Sequence, residues 1–145
     1  MSSGFPISDL HLLPLRLDEG QLALLRRDDH LLRRFGQVEV RRFEAGVQSP
    51  FKLRAVADEV WVPLHGVAQF TLIDLRPSSP SENQSFQVAL DAAQPQALLV
   101  PFGVACSIAT QGGAELLCLA THADGDHAED RVINREDLQG LLPDS

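Results

Sequence analysis

Val60, Val62 and Leu64 alternate with Glu59, Trp61 and His65, and beyond Gly66 the same rhythm resumes in Ala68, Phe70 and Leu72. A two-residue period sends successive side chains to opposite faces of a pleated strand. Residues 58–81 therefore predict two strands joined in a β-hairpin at Gly66. The second strand is closed by Pro77 and Pro80, which cannot donate to a ladder, and by Ser78, Ser79 and Ser81, which favour a loop. Upstream, Val38, Val40 and Arg42 alternate with Glu39, Arg41 and Phe43 and predict a strand over residues 37–44. Residues 85–90, 96–100, 104–109 and 115–120 predict four more, separated by turn-forming residues. Residues 7–17 are apolar but interrupted by Pro14, which suits an edge strand, and residues 21–27 continue as a strand. Asp28 or Asp29 can cap a short helix through Arg34, ended near Gly36, and residues 136–142 predict another short helix. Many short strands between turn signals make the chain all-β, a sandwich or a closed barrel.

Composition narrows this. At 145 residues the length favours one domain. We divide it into an arm and short helix (1–36), a core (37–121) and a polar, acidic tail (122–145). No apolar run approaches the roughly 18 residues of a spanning helix, and the N-terminus lacks the basic start and unbroken apolar centre of a secretory leader. A cytoplasmic protein with no membrane partner is the expectation. A net charge of −8 opposes polyanions, so nucleic acid is not expected as a partner. Without a leader, Cys106 and Cys118 are expected as reduced, buried thiols. Eleven of the twelve basic residues are arginine, which leaves Lys52 conspicuous.

The run DLRPSSPS at residues 74–81, following GVAQFTLI, is similar to a signature of the dTDP-4-dehydrorhamnose 3,5-epimerase family of cupins. Gly46 and Val47 stand where that family opens its catalytic stretch, and Pro101, Gly103 and Ala105 match a later turn. Residues 18–20 and 129–138 resemble two further segments, so the resemblance covers most of the chain. It implies a jelly-roll (cupin) barrel with one or two short helices, an isomerase or epimerase acting in carbohydrate metabolism on a nucleotide sugar, and a homodimer whose N-terminal arm crosses to the neighbouring subunit. The family's chemistry does not carry over with the fold. Counted from Gly46 without gaps, the family's Arg falls on Ser49, its general-base His on Lys52 and its Gln on Arg54. A later His falls on Cys106, a substrate-facing Lys on Glu59, and the acid Tyr near Cys118 in a chain that has no Tyr.

The candidate residues each admit a bland and a functional role. The general cupin metal pattern survives only as Glu59 and Gly66, because Lys52, Arg54 and Cys106 stand at the other ligand positions, so neither a metal nor another cofactor is expected. Lys52, Arg54 and Glu59 form either a salt-bridged trio or an anion site in which two cations outnumber one carboxylate and make a positive mouth. A desolvated Lys52 could replace the missing base. Trp61 is a core residue or a stacking platform, Cys106 a space-filling thiol or a nucleophile, and His65 a turn residue or a site residue. His122 and His127, interleaved with Asp124 and Asp126, are a polar loop or a weak surface metal site. The reading that follows is a cupin binding a nucleotide sugar or similar anionic metabolite through Lys52, Arg54, Glu59, Trp61, Arg76 and Cys106, without the family's epimerase activity. The alternatives are a non-enzymatic dimeric module with a structural or regulatory role and, less supported by these residues, a metal-dependent cupin.

Overall fold

A computed structural model gives the architecture and describes residues 6–15, 17–18, 21–22, 32–125 and 127–143. The strands in chain order are β1 (His11–Pro14), β2 (Leu17–Asp18), β3 (Gln21–Leu22), β4 (Gln37–Phe43), β5 (Phe51–Leu53) and β6 (Glu59–Asp74). They continue as β7 (Ser85–Asp91), β8 (Gln96–Val100), β9 (Val104–Ala109), β10 (Ala114–Ala120) and β11 (Arg131–Ile133), and a 3-10 helix follows at Arg135–Leu141. β2 and β3 form a small ladder of their own.

The predicted hairpin at Gly66 is corrected: the chain runs on as one strand of 16 residues. Before Gly66, β6 pairs with β8 on one side and β10 on the other, and after it with β7 and β9. The glycine is a corner at which one strand passes from one sheet into the next. Its φ of 78° is open to a residue without Cβ, and a Cβ there would lie 2.3 Å from the Gly113 carbonyl oxygen. A register shift against Glu115 and Leu116 sharpens the bend, and Pro63, which has no N–H to give, sits next to it. The alternation that predicted two strands is the same whether the chain turns back or bends.

Two five-stranded sheets thus share β6, in the orders β1-β8-β6-β10-β4 and β7-β6-β9-β5-β11. The all-β jelly-roll expectation holds, with one correction: among the described residues the ladders do not close into a barrel. Alternation distributes the apolar residues. Trp61, Phe70, Leu72, Leu98, Leu116, Cys106 and Cys118 meet between the sheets. Val60, Val62, Ala97 and Leu99 cluster separately, with Leu117 and Leu119 against them. Phe51, Leu53, Ile73 and Ala105 form a third cluster, covered by Leu138 of the 3-10 helix. Fully burying an aliphatic or aromatic side chain is worth about 1.5–3 kcal/mol, so the 3-10 helix is held by its apolar face rather than by its seven residues of backbone.

β1 is an edge strand as predicted, paired with β8 alone among the described residues, and its Pro14 stands at the strand's end. The strand expected over 21–27 is described only at Gln21–Leu22, and most of the helix expected from Asp28 lies outside the described residues; its last residues, 32–34, are not helical. β11 was not anticipated, because Arg131 and Val132 are exposed and give no alternation.

Candidate functional site

β5 and the start of β6 bring the predicted trio together. Lys52 pairs in register with Cys106 of β9, and Arg54 lies just beyond the end of β5. Arg54 and Glu59 are 3% and 4% exposed, so this is an interior cluster and not a solvated face. Arg54 Nη1 donates to Glu59 Oε2 at 2.8 Å, Nε donates to Asp130 Oδ2 at 3.1 Å, and Nη2 donates to the carbonyls of His122 and Ala123. Asp130 spends its other oxygen on the N–H of Ala55 at 2.7 Å. The guanidinium fork is therefore filled by protein. Burial works against its charge, but Glu59, Asp124 and Asp130 more than offset this and hold Arg54 firmly protonated.

Lys52 Nζ lies 3.1 Å from Asp124 Oδ1 and 3.6 Å from Glu59 Oε2. Its side chain is 31% exposed, so it lacks the desolvation that a substitute base would need. Asp124, whose carboxyl burial raises but Lys52, Gln37 and Arg54 bring below its ordinary value, folds over the mouth with its backbone N–H on Gln37 Oε1. The expectation of a net positive mouth is corrected: the two cations meet Glu59, Asp124 and Asp130, three carboxylates in all. Sequence reasoning missed Asp124 and Asp130 as partners, because they lie some seventy residues downstream, where Asp124 read only as part of a polar loop or weak metal site.

Behind the trio, Trp61 faces the interior and packs edge-on to Phe70 with ring centroids 5.6 Å apart. Among the described residues its indole N–H has no hydrogen-bond partner. Burial, then the charge of Glu59, pushes the Cys106 and Cys118 thiols far up, so neither is a ready nucleophile or ligand. The cupin metal positions thus hold an ammonium, a guanidinium, a protonated thiol and a carboxylate already bonded to Arg54, a donor set that does not fit a divalent cation. His122 and His127 stack edge to face at 5.2 Å, but Asp124 is committed to Lys52 and Arg54, and Asp126 lies outside the described residues.

Arg76 belongs to a different construction. It forks onto Asp74 through Nε and Nη2, both at 2.9 Å, and also reaches Asp9 Oδ2 and the Ser8 carbonyl. Ser79 and Ser81 donate to the same fully buried Asp74, and Ser81 Oγ accepts the N–H of Ser8. The DLRPSSPS run is a clasp holding the N-terminal segment.

At the other end of the fold a cavity of about 760 Å³ opens beside Gly66, lined by Gln48, His65, Gln69, Thr110 and Gln111 together with Val47, Val67 and several glycines. Glu59 and Gly66 pair with Ala120 and Ala114, the two ends of β10, so cavity and mouth lie about 20 Å apart along the strand. His65 lies within β6 at the rim of this cavity, not in a turn.

A dTDP sugar isomerase from Desulfovibrio desulfuricans G20 superposes with a TM-score of 0.82 over 97% of this chain and 92% of that one, at 21% identity. The chain has the cupin fold of the dTDP-sugar epimerases. A variant of the 3'-monoepimerase ChmJ from Streptomyces bikiniensis, in complex with dTDP, gives a TM-score of 0.81 at 17% identity, covering 92% of this chain and 74% of that one. The dTDP-4-dehydrorhamnose 3,5-epimerase of Bacillus anthracis, with TDP and PPi bound, gives 0.75 at 22% identity, covering 86% and 78%. In sequence, the spore coat polysaccharide biosynthesis protein SpsL of Bacillus subtilis is 35% identical over 89 residues, 61% of this chain but only 59% of that relative's length. No family model matches the chain. This epimerase fold confirms the architecture expected from the DLRPSSPS, Gly46-Val47 and Pro101-Gly103 motifs.

Proposed function

We propose that the chain binds a nucleotide-linked sugar at the Lys52–Asp124 mouth of the epimerase fold and does not carry out 3,5-epimerisation. The observation that carries this is what surrounds the position of the missing base. Lys52 is held in ion pairs with two carboxylates, and within the core behind it stand Trp61, Cys106 and Cys118, with no imidazole or phenol among them. Abstraction of a proton next to a ketone needs a base in reach and an acid to return it, and this set offers neither. Binding is supported by the complexes with dTDP and with TDP in proteins of the same fold. Lys52 supplies the part-exposed cation and Asp124 the more exposed counter-charge that a diphosphate would displace. The test has two arms. dTDP-glucose should raise the melting temperature by mass action, and less so in Lys52→Ala. Solvent deuterium should not enter dTDP-4-keto-6-deoxyglucose above the buffer rate; incorporation lost in Lys52→Ala would make Lys52 the base after all.

A second reading, a dimeric module without a small-molecule ligand, is favoured by the carboxylate excess at the mouth and by Val38, Val40 and Leu64, which are 49%, 51% and 40% exposed. Under it, Val40→Asp converts a dimer to a monomer in light scattering while the nucleotide sugar leaves the melting temperature unmoved.

A further inference from the structure

We propose that the cavity beside Gly66 is a second binding site, specific for an uncharged saccharide. Its volume of about 760 Å³ lies in the range of small-molecule sites, and its lining contains no Asp, Glu, Lys or Arg in a chain where such residues are more than a fifth of the sequence. A site with no Lys, Arg or carboxylate offers a phosphate or nucleotide no permanent counter-charge, and it does not repel a neutral ligand.

Three of the five polar side chains there are carboxamides. Gln48, Gln69 and Gln111 are exposed carboxamides that make no side-chain hydrogen bond to any other described residue, and the His65 imidazole makes none either. Each carboxamide offers an acceptor oxygen and two donor hydrogens side by side, the complement of two neighbouring hydroxyls that each donate and accept. Val47 and Val67, 36% and 48% exposed, add apolar surface for the C–H face of a pyranose ring. Two features keep the space open. Thr110 Oγ1 donates to the Val67 carbonyl at 3.0 Å and ties the β9–β10 turn to the corner of β6, and a side chain added at Gly46 or Gly112 would meet nothing within 4 Å. The site lies on the corner that carries β6 between sheets, so its walls come from both sheets and are fixed by their ladders.

The site is independent of the mouth, and its test separates the two. In 1H–15N spectra of the whole protein, glutamine side-chain amides report directly. Titration with D-glucose, L-rhamnose and N-acetylglucosamine should shift the side-chain signals of Gln48, Gln69 and Gln111 and the amides of Gly112 and Gly113 saturably for at least one sugar, with a dissociation constant of about 1 mM or tighter. The shifts should survive Lys52→Ala and weaken at least tenfold in Gln69→Ala, whose exposed side chain can be truncated without disturbing the core. Inorganic phosphate should shift none of these signals. Absence of saturable shifts with all three sugars, equal response to phosphate, or undiminished binding in both Gln69→Ala and Gln111→Ala would overturn the proposal.

Discussion

Asp74 has no exposed surface and is the most heavily bonded carboxylate of the molecule's clasp. Burial pushes its carboxyl up, yet the hydrogen bonds of Arg76, Ser81 and Ser79 together outweigh burial and hold it well below the usual carboxylate range. Replacing it with the isosteric amide leaves Arg76 without its fork partner. Asp74→Asn should therefore lower stability in urea by about 3 kcal/mol at neutral pH. The sign of the pH dependence follows. A carboxyl depressed in the folded state contributes stability that is complete above its unfolded value of about 3.9 and fades as pH falls through the folded one, so the difference between wild type and Asp74→Asn should shrink below about pH 4. A difference constant from pH 7 to pH 2.5 would mean the carboxylate charge is not what the clasp uses. At this scale the sequence was only half legible. The DLRPSSPS run marked the fold correctly, and Lys52, Arg54 and Glu59 do converge. Asp124 and Asp130, which complete the network, were hidden because an ion pair between distant residues leaves no local periodicity to find.

Among the elements, β6 carries the most information about the fold and was also the one misjudged. Its period of two set which side chains meet between the sheets and which cluster outside, with Trp61 and Phe70 in the first set and Val60 and Val62 in the second. The same pattern could not distinguish a hairpin from a bend, because glycine with positive φ serves both. The bend makes a prediction the hairpin would not. Gly66→Ala places a methyl against a backbone oxygen of Gly113 and forces alanine into a left-handed conformation, so it should cost about 2–3 kcal/mol in chemical denaturation. A two-residue hairpin turn exposed to solvent would tolerate it with a far smaller loss. β4 carries a related lesson. Its alternation was clear, but Val38 and Val40 point to the exposed face while Glu39 and Arg41 pair with each other on the more buried one. Alternation alone tells which residues share a face and not which face is wet.

At the scale of the whole molecule the two candidate sites differ in charge. The mouth concentrates Lys52, Arg54, Glu59, Asp124 and Asp130, while the cavity at the β6 corner has no formal charge in its lining. Between the two ends lies an apolar interior containing both thiols, Cys106 and Cys118, 6% and 1% exposed and strongly disfavoured as thiolates. These thiols make the sandwich its own clock. An alkylating reagent attacks only a thiolate that it can reach, so iodoacetamide should label the native protein orders of magnitude more slowly than the urea-unfolded chain. The labelling rate then measures how often the two sheets part, without any probe attached beforehand. Loosening the mouth by Arg54→Ala should quicken it, whereas Gln69→Ala at the opposite end should leave the tempo unchanged.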